Sequence, residues 1–267
     1  MIKLFATDID GTLLNDKRYL SDRTIASLEK LDMPKILISA RMPQAMVYLQ
    51  EALSIVKSPM ICYNGALVLH EEEVLYELSI PFNEIKALSE IAQENGLHVS
   101  LYRKEEWFVP SMDKWSEREI HNTRVQPTVQ DVSVTLDYLE KTQDKGGAHK
   151  IMFMGDRDAI DSAFAKAEQE IGPSVRLYRS KSTYIEITPS GTSKEVALRK
   201  LLDFRFSDIG MENVVAFGDN YNDEDMLGAV GYGVAVENAR DVVKKAAKYS
   251  TVHHAEDGVA LWLEQNA

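Results

Sequence analysis

The chain of 267 residues is 45% hydrophobic and 27% charged, enough apolar material to bury a sizeable core in one large domain or two modest ones. A formal net charge of -12 excludes a protein that grips nucleic acid over its whole surface, because phosphate contacts need a basic face. Cys62 is the only cysteine, so no intrachain disulfide can form, and no apolar run approaches the length of a bilayer span. The expectation is a soluble, cytoplasmic protein with no leader peptide, no membrane contact and no nucleic-acid partner.

Ile2 to Thr7 is a short apolar run that predicts a buried strand, closing on Asp8-Ile9-Asp10-Gly11-Thr12-Leu13. If the extended geometry persists to Asp10, side-chain alternation points both carboxylates the same way. Asp22 to Leu31 carries apolar residues at helical spacing, and Lys35 to Ser39 is a second apolar strand. Pro43 suits the first turn of a helix whose buried face is Met46, Leu49 and Leu53. Pro59 to Cys62 is another strand, followed by the turn Asn64-Gly65 and the apolar run Ala66 to Leu69. Strands separated by helices in this way predict a parallel three-layer α/β sheet.

The pattern changes near Pro81. Asn83 is a candidate cap for a helix with Ile85, Leu88, Ile91 and Ala92 inward, stopped at Gly96. His98 to Tyr102 and Trp107 to Val109 read as strands, Val132 to Lys141 as a strand-to-helix stretch, and Lys150 to Met154 as a strand. Ala159 to Ile171 is a helix, with Val175 to Tyr178 and Tyr184 to Ile187 as strands after it. This middle third reads as an α+β unit with an antiparallel sheet, leaving through Pro189-Ser190-Gly191. The alternating pattern then resumes: Ser193 to Leu202 helical, Asn213 to Phe217 a buried strand, Tyr232 to Val236 a strand, Ala239 to Ala247 and Gly258 to Leu263 helices.

Asn213 to Phe217 runs into a second acidic cluster, Gly218-Asp219-Asn220-Tyr221-Asn222-Asp223. If the two acid-tipped strands are neighbours, carboxylates converge at one sheet edge, and oxygen-only donors shared with solvent or phosphate favour Mg²⁺ over Ca²⁺. The Ser39 hydroxyl sits at a third strand end, with Arg41 two residues on. Lys194 opens a helix after Gly191-Thr192-Ser193, so helix-start N–H groups and an ammonium lie together, a combination that favours phosphate.

These four segments, in this order, resemble the four motifs of the haloacid dehalogenase superfamily of phosphatases, and the middle third resembles the α/β cap inserted in its Cof-type branch. Asn64-Gly65-Ala66, Gly233-Val234-Ala235 and Asp257-Gly258-Val259-Ala260 also look like recurring Cof-type segments. The resemblance implies a Rossmannoid core from residues 1–81 and 190–267 and an α+β cap from 82–189. It implies an Mg²⁺-dependent phosphatase acting on small phosphorylated metabolites, sugar phosphates or phosphorylated cofactors, through an aspartyl-phosphate. Asp8 would be the nucleophile and Asp10 the general acid and then base. Asp8 and Asp219 would bind Mg²⁺ through side chains and Asp10 through its carbonyl, with Asp223 a ligand through water or a brace for Asp219. Ser39, Lys194 and Asn222 would hold the phosphate. The cap would exclude bulk water, favouring small substrates.

Blander readings stand beside these. Ser39 is equally read as a helix cap, Asn222 and Asp223 as caps of the next helix, Asn64 as a turn residue and Arg41 as a surface residue. Arg179, Ser182, Tyr184 and Glu186, near the middle third's last strand, are candidate substrate contacts or sheet residues. The six histidines, His149 and the His253-His254 pair among them, show no metal-ligand spacing. Ala40 stands where the family commonly has Gly, Glu195 likewise, and Val236-Glu237-Asn238 replaces Met-Gly-Asn; Glu237 opposes an anionic substrate only if it faces the pocket. The rival readings are a phosphomutase of the same architecture and a non-catalytic phosphate- or Mg²⁺-binding regulatory module.

Overall fold

The computed structural model describes residues 1–71 and 73–267. Its first segment runs β1 (Leu4–Asp8), α1 (Asp22–Glu29), β2 (Lys35–Ile38), α2 (Gln44–Ala52), β3 (Met60–Cys62), β4 (Leu67–His70) and β5 (Glu73–Glu77). Ser21 starts α1 by accepting the Thr24 N–H on its hydroxyl. β1 ends at Asp8, two residues short of the extended stretch to Asp10 that the sequence allows. Ile9–Leu13 turns at once, with Gly11 at φ 84°. Asp8 and Asp10 therefore do not form one extended face.

The middle segment runs α3 (Phe82–Glu94), β6 (His98–Arg103), β7 (Glu106–Val109), α4 (Lys114–Thr123), β8 (Thr128–Val129), α5 (Val132–Lys141), β9 (Lys150–Met154), α6 (Arg157–Ile171), β10 (Val175–Lys181) and β11 (Tyr184–Pro189). Asn83 is not the cap of α3. Pro81 holds that position, because its fixed φ of -62° prepares the helix without a side-chain bond. Val132–Lys141 is helical throughout, since Val132, Leu136 and Leu139 pack on one side against the apolar core. The polar α4 has no apolar stripe to announce it, and Ser116 is its one buried residue; Asp113 starts it by accepting the Trp115 and Ser116 N–H groups.

The last segment contributes α7 (Lys194–Arg205), β12 (Val214–Gly218), α8 (Glu224–Ala229), β13 (Tyr232–Ala235), α9 (Asp241–Ala246), β14 (Tyr249–Ser250) and α10 (Gly258–Asn266). The chain divides into two compact units, Met1–Arg41, Met46–Glu77 and Ser193–Ala267 forming one, Met42–Ala45 and Leu78–Thr192 the other.

In the first unit eight strands lie in the order β14-β13-β12-β1-β2-β3-β4-β5, parallel except where β4 pairs antiparallel with β3 and β5. Helices cover both faces. Leu4, Ala6, Ile36, Ile38, Val214 and Ala216 face Ala197, Leu198 and Leu201 of α7 and Met226 and Leu227 of α8. Phe5 and Phe217, alternating to the other face, pack on each other, and Phe217 meets Trp262 of α10. β1 therefore lies centrally, and the chain leaves it toward β2 on one side and returns beside it as β12 on the other. Such a reversal opens a crevice at the carboxyl ends of the strands, where open α/β sheets bind ligands.

The second unit has six strands in the order β10-β11-β9-β6-β7-β8, antiparallel apart from β7 with β8. Its core joins Val99, Leu101, Ile151, Phe153, Ile185 and Ile187 to Leu88 and Ile91 of α3 and Ile160, Ala163 and Ala167 of α6. No helix among the described residues is long and apolar enough to cross a membrane.

Candidate active site

The register of the first unit's sheet sets the site. Thr7 pairs with Phe217, one residue short of the Asp8 and Gly218 ends, and Asp8 itself pairs with Ile38. Asp8 and the acidic loop after β12 are thus brought side by side, with Ser39 on the neighbouring strand end.

Lys194, one residue into α7, is buried between them. Its Nζ donates to Asp8 Oδ1 at 2.5 Å and to Asp223 Oδ1 at 2.6 Å. Asp223 spends its other oxygen on the backbone, accepting the N–H groups of Asp219 and Asn220 at 3.0 and 3.1 Å. Both Asp223 oxygens are occupied, so the residue braces the loop that presents Asp219. Asp219 Oδ1 accepts from the Thr12 hydroxyl at 3.1 Å, and a Cβ at Gly11 would come within 2.8 Å of Asp219 Oδ2. Glycine at Gly11 thus serves both the left-handed turn and the close approach of that carboxylate.

One oxygen from each of Asp8, Asp219 and Asp223 lies within 4.8 Å of the others. Three carboxylates against one ammonium leave the cluster electron-rich, and the proton equilibria record it. Burial, then Asp223 and Asp219, push the Asp8 carboxyl well above its ordinary value despite the pull of Lys194. Burial and Asp223 raise Asp219 to about 6. Burial alone would depress the Lys194 ammonium, but Asp223 and Asp8 outweigh it and hold the proton firmly. A hard dication fits this all-oxygen donor set and would relieve the repulsion.

Asp10 lies outside the cluster. Arg41 forks onto it, Nε to Oδ2 and Nη2 to Oδ1, each at 2.8 Å, and Arg18 Nη2 reaches Oδ1 at 2.6 Å. Burial would raise the Asp10 carboxyl, but the Arg41 bonds and both guanidinium charges carry it below the ordinary range. Arg41 is buried rather than a surface residue, and it also donates to Tyr48.

Ser39 Oγ accepts the Arg41 N–H at 3.2 Å, and the Ser39 carbonyl accepts the Asn64 N–H at 2.8 Å. Asn64 does make the turn, at φ 59° ahead of Gly65 at φ 102°, and its Oδ1 accepts from Asn222 Nδ2 at 2.8 Å. A Cβ on Gly65 would sit 2.3 Å from the Ser193 carbonyl oxygen, so this turn abuts the start of α7. Ser39, Asn64, Asn222, Asp219, Asp223, Lys194, Asp8 and Asp10 therefore belong to one interlinked loop set in the first unit. Glu237 is exposed. Sequence reading assigned no side-chain role to Thr12, Arg18 or Asn238; Asn238 Nδ2 holds the Gly11 carbonyl at 2.7 Å.

The remaining candidates lie in the second unit. Arg179 is ion-paired with Asp161 of α6 and donates to the Ser182 carbonyl, so it is engaged within its own sheet. Tyr184 is buried edge-on against Trp115, near the Arg118 guanidinium and the Lys181 ammonium, and burial raises its phenol. Glu186 is two residues on from Tyr184 along β11 and so shares its face, opposite the core residues Ile185 and Ile187.

Comparison with known proteins places this geometry. A sequence profile of the haloacid dehalogenase-like hydrolases matches residues 5–263. A putative phosphatase of Haemophilus influenzae is 29% identical over 99% of this chain and 98% of its own length. The 5-amino-6-(5-phospho-D-ribitylamino)uracil phosphatase YitU of Bacillus subtilis is 28% identical over 98% of this chain and 96% of its own. A haloacid dehalogenase-like hydrolase from Bacteroides thetaiotaomicron superposes with a TM-score of 0.89 at 28% identity, covering 99% of both chains.

Proposed function

The chain belongs to the haloacid dehalogenase-like hydrolases and is a phosphoric monoester hydrolase, and from that premise we propose that it dephosphorylates small metabolites, sugar phosphates or phosphorylated cofactors, through an aspartyl-phosphate on Asp8. The observation that supports this most is the buried Lys194 ammonium shared by Asp8 and Asp223 beside Asp219. A carboxylate needs no base to become a nucleophile; its obstacle is repulsion from the phosphate. Lys194 lowers that obstacle and supports the charge as the phosphoryl group transfers.

Mg²⁺ would be held by the Asp8 and Asp219 side chains and the Asp10 carbonyl, supplying a Lewis acid that neutralises charge on the phosphoryl oxygens. Asp223 keeps Asp219 oriented through the loop backbone. Ser39 and Asn222, with Asn64 fixing Asn222, bind phosphate oxygens.

Asp10 carries the proton. Under Arg41 and Arg18 it is ionised, which is the form that accepts a proton from the water attacking the aspartyl-phosphate. To donate to the leaving oxygen in the first step it first takes up a proton from solvent and gives up part of that grip, and the exposed Arg18 contact is the weaker hold.

The test is phosphate release from para-nitrophenyl phosphate and from a panel of phosphorylated sugars and cofactors, with and without Mg²⁺. Metal-dependent turnover that Asp8→Asn abolishes is expected. Unchanged turnover in Asp8→Asn would overturn the nucleophile, and equal rates after chelation would overturn the metal.

A further inference from the structure

A second set of donor atoms gathers on the first unit, sharing no residue with the oxygen-only cluster although His254 bears electrostatically on Asp219. Asp16 comes from the turn after β1, and His253 and His254 from the turn before α10. One donor atom of each lies within 4.8 Å of the others. The pairing of adjacent histidines has no ligand spacing of its own; the fold supplies the third donor from the far end of the chain.

His254 is fixed from two directions. Its Nδ1 lies 2.6 Å from the Leu14 carbonyl oxygen, which only accepts, so Nδ1 carries a proton, and Nε2 faces Asp16 Oδ1, 3.3 Å away. The His254 N–H donates to Asn238 Oδ1, and Asn238 in turn holds the Gly11 carbonyl. An imidazole that gives its outer N–H to a backbone carbonyl while its other nitrogen faces a carboxylate has the supporting contacts of a metal ligand. A ring nitrogen this close to a carboxylate oxygen needs a positive centre between them, and a proton on Nε2 or a bound dication supplies it. Neighbouring ligands of a four-coordinate ion with bonds of about 2.0–2.1 Å stand roughly 3.3–3.4 Å apart, close to that separation. The His253 ring lies against His254, centroids 4.6 Å apart.

We propose that Asp16, His253 and His254 form a second cation site, selective for a borderline dication of the zinc class, that fastens the turn after β1 to the turn before α10. Two imidazoles and a carboxylate suit zinc, whereas magnesium prefers oxygen alone. His253 joins through the ring nitrogen that lies near the other two donor atoms, releasing its 3.2 Å acceptance of the Ala255 N–H, a half-exposed cap bond. Asp16 is exposed, so the ion enters from solvent, and water completes the coordination.

The site reaches further than its ligands. Asn15 Oδ1 accepts the N–H groups of Lys17 and Tyr19, and the Arg18 N–H donates to the Asn15 carbonyl, so Asp16 and Arg18 ride on one tight turn. Anchoring Asp16 restrains Arg18, whose Nη2 holds Asp10.

The experiment uses the tag-free full chain in saturating Mg²⁺ and follows histidine ring nitrogens by long-range ¹H–¹⁵N NMR during Zn²⁺ titration, with equilibrium dialysis counting bound zinc. Zn²⁺ should move the His253 and His254 nitrogens while Mg²⁺ leaves them in place. His253→Ala should weaken this zinc binding by more than about a hundredfold, beyond what loss of a supporting partner costs, and Asp16→Asn by about tenfold. Both variants lie in exposed or half-exposed turns, and circular dichroism checks that they fold. Ring nitrogens that ignore Zn²⁺, or equal zinc binding by all three chains, would overturn the site.

Discussion

Asp8 and Asp10 stand two residues apart, yet their surroundings are opposite. Asp8 shares a single buried ammonium with Asp223 and has Asp219 close by, so negative charge exceeds positive and its carboxyl is pushed up. Asp10 is paired with two guanidinium groups, and its carboxyl is pulled down. The turn at Ile9–Leu13 makes this division, because ending the strand at Asp8 sends the next carboxylate toward Arg41 instead of into the cluster. A pair that looks equivalent in sequence is a charge-deficient site beside a charge-saturated one. Only the former has a physical need for an added cation.

The sharpest way to break this asymmetry is at Asp8. Asp8→Asn keeps the shape and removes the proposed nucleophile, and phosphate release should fall about ten-thousandfold, roughly 5 kcal/mol of barrier. The chain should stay folded, since the change also removes one of three crowded carboxylates. Lys194→Met acts on the same cluster in the other direction, leaving buried carboxylates without their counter-charge. Unfolding by denaturant should show a loss of about 3–5 kcal/mol, the usual consequence of breaking a buried ion pair from one side.

pH sharpens the comparison without mutation. Asp219 is raised to about 6 and Asp8 is also raised, so protons would compete with the proposed metal in slightly acid solution. Mg²⁺ titrations should show affinity falling by up to about tenfold per pH unit below pH 6. The linked stability has a definite sign. A carboxyl raised on folding contributes stability present below its unfolded value of 3.8 and lost as pH rises through about 6. Metal-free protein should therefore melt higher near pH 5 than its other groups alone would dictate, and Mg²⁺ should recover that difference at pH 7.

At Asp10 the linkage runs oppositely. Its carboxyl lies below 3.8, so the stability it contributes is present above that value and lost as pH falls through the folded one. Arg41→Met should cost about 1 kcal/mol at neutral pH, allowing for solvent screening of a carboxylate side chain 37% exposed. That gap from the parent chain should close below about pH 4 in denaturant titrations. Arg18→Ala, at an exposed guanidinium, should change stability by no more than about 0.5 kcal/mol.

What could be read in the sequence follows from what leaves a local trace. Apolar runs ending in Asp8, Ser39 and Asp219 announce strand ends, and Lys194 after Ser193 announces a helix start, so the convergence of these residues follows once the strands are ordered. Pairings across loops leave no such trace. Arg18 belongs to no periodic pattern, and its reach to Asp10 depends on a turn tied by the Asn15 side chain. Thr12 lies inside the most recognisable motif, but only the approach of β12 shows that its hydroxyl meets Asp219. The polar α4 is invisible for the converse reason: it buries almost nothing, so its sequence carries no stripe. The histidine pair looks inert because its third partner lies at the opposite end of the chain.

The space at Gly65 has a consequence for how the protein tolerates change. With no side chain there, the loop after β3 comes to rest against the Ser193 carbonyl, and the next residue along is Lys194. A single methyl group in that gap acts as a shim, displacing the start of α7 or the loop. The ammonium would move relative to acceptors it now meets at 2.5 and 2.6 Å, contacts with little slack. A residue with no functional group thus sets the depth of the charge on which the proposed chemistry depends, and a mutational survey limited to reactive side chains would pass it by.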